Sequence, residues 1–134
     1  MSRIPTVILA LLSLLNLGRG AFHALAPDSG AGSVAGFDLS TNGQTIIFLL
    51  ASIGISQFTW GMLQAYVVLR ERAYVMLALV VQTAMTGLSL ANMLWWKPPP
   101  VTIPGERFNI IVFAILVATL LIGFIAHARV TKTA

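Results

Sequence analysis

The residues most able to do chemistry in this sequence stand inside an apolar segment near its start. The stretch NLGRGAFHALAPD, residues 16 to 28, follows the apolar run ILALLSLL and contains Asn16, Arg19 and His23. An arginine offers a fixed positive charge and a planar set of N–H donors for a carboxylate, a phosphate or a quinone oxygen. A histidine titrates near neutral pH, so it can transfer a proton or ligate a metal.

Polar residues recur at helical spacing in three apolar segments. At 100° per residue, the polar residues of the first segment fall within one arc of about 120°. Residues at i, i+4 and i+7 also share a face of a helix, and two later segments follow this spacing. The three sets are Ser13, Asn16, Arg19, Gly20 and His23, then Gln57, Gly61 and Gln64, then Gln82, Thr86 and Ser89.

Known catalytic and metal-binding motifs are missing from the sequence. The four residues that would form an outer site of hard ligands lack a spacing such as H-x-x-H; they are His23, Asp28, Asp38 and Glu106. No serine stands in a G-x-S-x-G setting, and no glycine-rich phosphate loop follows a strand. The absence of cysteine excludes disulfides, thiolate metal sites and thiol redox relays. We therefore predict no metal, no cofactor and no catalytic residue, and we favour a non-enzymatic role.

The composition indicates a protein of the lipid bilayer. Of the 134 residues, 57% are hydrophobic and only 9% are charged, whereas a soluble domain has about 25% charged residues. Too few polar groups remain to cover a water-facing surface. The net charge is +4, but the basic residues are not clustered with aromatic ones, so nucleic-acid binding is not expected.

Four segments are long and apolar enough to cross a membrane, which needs about 20 residues each. They cover residues 4–26, 45–69, 73–96 and 108–128, with uncertain ends. Arg70-Glu71-Arg72 leaves room only for a tight hairpin between the second and third spans. Prolines at 98, 99, 100 and 104 prevent a continuous helix between the third and fourth. The chain is thus predicted to be one all-α domain, residues 1–134, with four transmembrane helices.

The distribution of Lys and Arg predicts the orientation, since these residues collect on the cytoplasmic side. With the N-terminus inside, the inner side receives Arg3, Arg70, Arg72, Arg129 and Lys132. The outer side receives only Lys97 and Arg107. We expect both termini in the cytoplasm, with Trp95 and Trp96 at the outer interface.

A cleaved secretory signal is the alternative for the first span. Arg3, an apolar stretch and the Ala24-Leu25-Ala26 triplet resemble such a signal with its cleavage site. Pro27 would follow the cut, where proline usually blocks cleavage, so we favour a retained helix. Cleavage would remove Asn16, Arg19 and His23 together.

The polar faces are expected to turn inward, because a polar side chain in lipid lacks a hydrogen-bond partner. This predicts a four-helix bundle in which the fourth span is the most exposed to lipid. Its polar centre is predicted to bind a ligand through Asn16, Arg19, His23, Gln57, Gln82 and Thr86. Two alternatives stay open. The amides and Thr86 can be structural hydrogen bonds between helices, and Arg19 can extend its side chain to the outer interface.

The chain resembles the DoxX-like group of small bacterial four-helix membrane proteins and their relatives. The resemblance rests on the overall size and on two quoted stretches, together with the third span that follows at once. The stretches are GRGAFHALAPDSGAGSVAGFDLS and GISQFTWGMLQAYVVLRER. It implies a multi-pass protein of the bacterial inner membrane with an accessory or assembly role. It supplies no catalytic residues.

Three functions follow as hypotheses. The favoured one is a binding or accessory protein whose polar centre takes a hydrophobic small molecule or a membrane protein partner. The second is an enzyme acting on a lipid- or quinone-like substrate, with His23 as acid or base and Arg19 as electrostatic stabiliser. The third is a proton or solute pathway formed in a homo-oligomer, because four spans are few for a transporter within one chain.

Overall fold

The computed structural model describes residues 3–99 and 105–131, and helices dominate that part of the chain. Four α-helices follow one another along the sequence: α1 is Ile4–Leu25, α2 is Gly43–Leu69, α3 is Val75–Ala91 and α4 is Gly105–Thr131. A 3-10 turn, Arg72–Tyr74, precedes α3, and a π-helical turn, Asn92–Trp96, follows it. No strand occurs within the described ranges.

Four helical stretches are long and apolar enough to span a bilayer. They are Ile4–Leu25, Gly43–Leu69, Arg72–Trp96 and Gly105–Ala126. The prediction of four spans is confirmed, with ends that differ by a few residues from those expected. The chain is therefore an all-helical protein of the multi-pass membrane type. Its orientation stays a prediction, since a helix of either direction crosses a bilayer equally well.

The joints between the helices follow the local sequence. Asn42 has a φ of 58° directly before α2, and asparagine tolerates this left-handed conformation better than most residues. The amides of Thr45 and Ile46 both donate to its carbonyl oxygen. At the other end, α2 stops at Leu69 and the next helical turn begins at Arg72. The predicted short link is present, and the hairpin itself stays a prediction.

The third span ends in a π-helical turn just before the prolines. The amide of Lys97 donates to the carbonyl oxygen of Asn92 at 2.7 Å, five residues back. Lys97 leaves the helical conformation, with φ −143° and ψ 66°, and the following proline disfavours the α region for this residue. Trp95 and Trp96 are 74% and 63% exposed. Residues 100–104 of the proline-rich link, predicted to be extended and stiff, lie outside the described residues.

The chain divides into two compact units, which are described separately. One unit, here called the α1–α2 unit, is Leu11–Tyr66; the other, the α3–α4 unit, is Met1–Ala10 with Val67–Ala134. The first contains most of α1, the loop that follows it and most of α2. The second contains α3 packed against α4, with the start of α1. A single polar centre shared by four spans therefore stays a prediction.

Both α2 and α4 bury only a small part of their most apolar windows, 11% for α2 and 17% for α4. Which span faces lipid most stays a prediction, because most of α2 and all of α4 belong to different units. The low burial of α2 follows from how it makes its contacts. A narrow strip of small and amide-bearing residues meets α1, and the large apolar side chains point away from that strip. Phe48, Ile53, Ile55 and Met62 are each more than half exposed.

Candidate functional site

Polar side chains join α1 to α2 within the α1–α2 unit. The hydroxyl of Ser13 donates to the carbonyl oxygen of Gly61 at 2.9 Å. The side-chain amide of Asn16 donates to Oε1 of Gln64 at 2.8 Å. Ser13 is 3% exposed and Gln64 is fully buried. For these two spans, the prediction that the polar faces turn toward each other is confirmed.

Three glycines bring the two helix backbones into direct contact. A Cβ at Gly20 would meet the backbone nitrogen of Phe58 and lie 2.7 Å from the carbonyl oxygen of Gly54. A Cβ at Gly54 would lie 2.7 Å from the amide nitrogen of Ala24. At Gly61 the nearest atom is the backbone nitrogen of Leu17, at 2.8 Å. Small residues permit this close approach between membrane helices, so the three glycines are packing residues.

Gln57 stands on α2 between Gly54 and Gly61. Its side-chain oxygen, unlike that of Gln64, has no hydrogen-bond donor among the described residues. Its Oε1 is buried and accepts no hydrogen bond from the described residues. A buried acceptor without a donor costs about 1–3 kcal/mol. Inside a bilayer no bulk water reaches such a group. Among the described candidate residues, Gln57 is the one with a buried acceptor that still needs a hydrogen-bond donor.

Arg19 is half-buried on α1, directly before Gly20. A Cβ at Gly20 would meet the backbone of Phe58, the residue after Gln57. The backbones of Arg19 and Gln57 therefore lie at a similar level of the α1–α2 unit.

His23 contacts the loop that follows α1. Its Nδ1 lies 2.7 Å from the carbonyl oxygen of Ser29. A carbonyl oxygen only accepts, so Nδ1 carries the hydrogen and a neutral His23 has its lone pair on Nε2. The ring also lies close to Gly30, whose φ of 78° admits no side chain without strain. These contacts fasten the loop to the helix end, which favours the structural interpretation of His23.

The loop after α1 is organised around Asp28. Its carboxylate accepts from the amides of Gly30, Gly32 and Ser33 at 2.9, 3.1 and 2.7 Å, and from the Ser33 hydroxyl at 3.1 Å. The amide of Ser33, then that of Gly30, lowers the pKa of Asp28 to about 2, because each stabilises the ionised form. The loop forms a series of hydrogen-bonded turns.

Gln82 and Thr86 lie in the α3–α4 unit and bond to each other. The side-chain amide of Gln82, 9% exposed, donates to the hydroxyl oxygen of Thr86 at 3.1 Å, one turn further along α3. Gly87 packs against α4, since a Cβ there would lie 2.9 Å from Cε2 of Phe113. A bond within one helix favours the structural interpretation of this pair, whereas Ser89, on the same predicted face, is exposed.

Sequence reasoning left out two residues that contribute to the α1–α2 contact. Ser13 and Gln64 were placed on the polar faces, but neither was counted among the candidate ligand-binding residues. The signal was present in their spacing. What the spacing cannot give is the relative register of two helices, which decides that Asn16 meets Gln64 and not Gln57.

A cavity of about 460 Å³ in the α3–α4 unit was not foreseen. Arg3 and Arg72 line it, together with apolar residues from the start of α1, from α3 and from α4. Both arginines were treated in the sequence only as indicators of orientation. Because they lie far apart in the sequence, their common place at one cavity could not be predicted from it.

Comparisons with known proteins add no relative. No protein-family model matches the chain, and no curated protein or solved structure shows significant similarity to it. Within the described part of the chain, no three His, Asp or Glu side chains come together as a metal site would need. The function must therefore be inferred from the geometry of this chain.

Proposed function

We propose that this protein is a non-enzymatic binding or accessory protein of the bacterial inner membrane. It binds a hydrophobic molecule with a polar end at the level of Arg19 and Gln57 on α1 and α2. The observation that carries the proposal is the buried Oε1 of Gln57, which has no donor among the described residues.

The buried Oε1 of Gln57 has a free-energy cost as long as it lacks a donor. A ligand that donates an N–H or O–H to Oε1 removes a penalty of about 1–3 kcal/mol that water cannot remove within the bilayer. Asn16 does not supply the donor to Gln57, since its amide bonds to Gln64. The donor to Oε1 of Gln57 must therefore come from a bound molecule or from a side chain of a partner subunit.

Arg19 narrows the chemistry of the ligand. A guanidinium favours an acceptor oxygen or an anion, while Oε1 of Gln57 needs a donor. A hydrophobic molecule whose polar end offers both, such as a hydroxylated ring or a carboxylic acid, matches this pair. Gln82 and Thr86 bond to each other and Asn16 bonds to Gln64, so Arg19 and Gln57 are the residues expected to contact the ligand.

The cellular setting belongs to the same proposal. Placement in the inner membrane with both termini in the cytoplasm is supported by the excess of Lys and Arg at Arg3, Arg70 and Arg72. Membership of the DoxX-like group is supported by the size of the chain and by the resemblance of its first two spans.

The test is native mass spectrometry of the protein purified from native membranes in mild detergent. We expect the wild type to carry a discrete additional mass, either a small molecule or a partner subunit. Gln57→Leu removes the acceptor and is expected to reduce its occupancy at least about tenfold.

The matched control is Gln44→Leu. It makes the same chemical change on the same helix, at an exposed position near the start of α2, and is expected to retain the additional mass. A wild type without any bound mass would contradict the proposal. So would equal occupancy in Gln57→Leu and the wild type.

A further inference from the structure

The cavity in the α3–α4 unit is lined by both apolar residues and arginines. Its volume is about 460 Å³. Pro5, Val75, Met76 and Phe124 provide its apolar lining, and Gly123 also lines it. Phe124 is 55% exposed, so the apolar wall continues into a surface that a bilayer would cover.

The charged side of the cavity comes from two segments that are far apart in the sequence. Arg3 precedes the first residue of α1, and Arg72 opens the 3-10 turn before α3. The Nε–H of Arg72 donates to the carbonyl oxygen of Val68 through a long bond of 3.4 Å, which holds the side chain back over the end of α2. Among the described lining residues, none is acidic. Two guanidinium groups without a carboxylate make an anion site of the kind that phosphate prefers.

The position of the cavity along the helices favours an anion that is part of a lipid headgroup. Arg3 and Arg72 stand at the ends of membrane-spanning stretches, where side chains reach the level of lipid headgroups. The apolar wall begins within the next turn of the same helices. A ligand that fits both parts has a phosphate at the headgroup level and a hydrocarbon chain below it.

We propose that this cavity binds one anionic phospholipid, with its phosphate between Arg3 and Arg72 and an acyl chain along Met76 and Phe124. The site lies in the α3–α4 unit and takes a different ligand from the one proposed for Gln57. A bound lipid at this position would hold the start of α1 to α3 and α4 within that unit.

The experiment counts lipids retained by the full-length protein. The protein is reconstituted in nanodiscs of phosphatidylglycerol and phosphatidylcholine in equal parts, released, and examined by native mass spectrometry. We expect the wild type to retain one phosphatidylglycerol in preference to phosphatidylcholine. Arg3→Gln combined with Arg72→Gln is expected to reduce this preference about tenfold or more, because each arginine near the surface adds to the attraction.

Arg70→Gln is the matched control for charge. Arg70 stands in the same short link, two residues before Arg72, but does not line the cavity. It is expected to leave the preference unchanged. If Arg70→Gln lowers the preference as much as the double variant, the attraction is a property of the general surface charge and the site is wrong.

Gly123→Ala tests the apolar part of the same cavity without touching either arginine. A Cβ at Gly123 would lie 2.6 Å from the sulfur and the terminal carbon of Met76, so the flexible Met76 side chain must move into the space. We expect a several-fold loss of retained lipid. Gly105→Ala is its control on α4, since no atom lies within 4 Å of a Cβ there. Equal retention in both glycine variants would contradict an acyl chain beside Met76.

A last experiment distinguishes binding of a lipid headgroup from binding of free phosphate. Inorganic phosphate is added to the protein in phosphatidylcholine nanodiscs, and its binding is compared between the wild type and the double variant. We expect no retained phosphate at millimolar concentration. Saturable binding that needs Arg3 and Arg72 would assign the site to a soluble phosphate instead. Gln57→Leu is expected to keep its phosphatidylglycerol, so the failure of one proposal can be told from the failure of the other.

Discussion

Two glutamines on one face of α2 differ in what surrounds their carbonyl oxygens. Oε1 of Gln64 receives a hydrogen bond from Asn16, whereas Oε1 of Gln57 is buried without a donor. Membrane helices gain little from each satisfied amide, about 0.6–2 kcal/mol, and lose more when a buried group is left alone. Gln64 is therefore a structural residue, and Gln57 is the residue to examine for binding.

Asn16→Leu is expected to lower the free energy of unfolding by about 0.6–2 kcal/mol, because Oε1 of Gln64 loses its donor. Replacing Asn16 and Gln64 together with leucine is expected to restore part of the loss, since no acceptor is then left unpaired. Denaturant unfolding in micelles measures both. Thr59→Val, at an exposed position of α2, is the control and is expected to change stability by less than about 0.5 kcal/mol. A neutral Asn16→Leu would show that the bond does not stabilise the pair.

The hydrogen bonds of Asp28 predict that the stability of the loop after α1 depends on pH. Its pKa in the folded protein is about 2, below the ordinary value of 3.8, so the folded state favours the ionised carboxylate. Its contribution is fully present above pH 3.8 and is lost as the pH falls through about 2. At neutral pH, Asp28→Asn is expected to speed hydrogen exchange at the amides of Gly30 and Ser33. A carboxyl titration near pH 4, followed by NMR, would contradict the hydrogen-bonded loop.

At the scale of the elements, the sequence predicts what depends on neighbouring residues. The lengths of the apolar runs, the link at 70–72 and the prolines after Trp96 set the ends of the helices, so all four spans were found. The register of α1 against α2 depends on contacts between residues 48 positions apart, such as Ser13 with Gly61. Spacing on one helix cannot supply it. The turns around Asp28 are local but were also missed, because they need left-handed backbone conformations at Ser29 and Gly30 that the residue types alone do not specify.

The glycines test the close approach of α1 to α2. Gly20→Ala places a Cβ against backbone atoms of Phe58 and Gly54, which cannot move without separating the helices. We expect a loss of about 1–3 kcal/mol in stability. Gly18→Ala is the matched control two residues earlier on α1, where no atom lies within 4 Å of a Cβ. It is expected to be neutral or to stabilise by up to about 1 kcal/mol. Equal thermal stability of the two variants in detergent would contradict the described packing.

At the scale of the whole molecule, the function proposed here needs α1 to remain beside α2. Ser13, Asn16 and Gly20 of α1 all contact α2, so the proposed function requires that α1 is retained and not removed as a secretory signal. Without α1, the strip from Gly54 to Gln64 would face lipid with its amide groups unpaired. The binding proposal would then lose both Arg19 and the packing that buries Gln57.

The most direct measurement of this central claim is the intact mass, under denaturing conditions, of the protein purified from native membranes. We expect a mature chain that still contains residues 1–26, and therefore Asn16, Arg19 and His23. A mass that corresponds to a chain beginning at Pro27 would contradict it, because the α1–α2 pair would not exist in the mature protein.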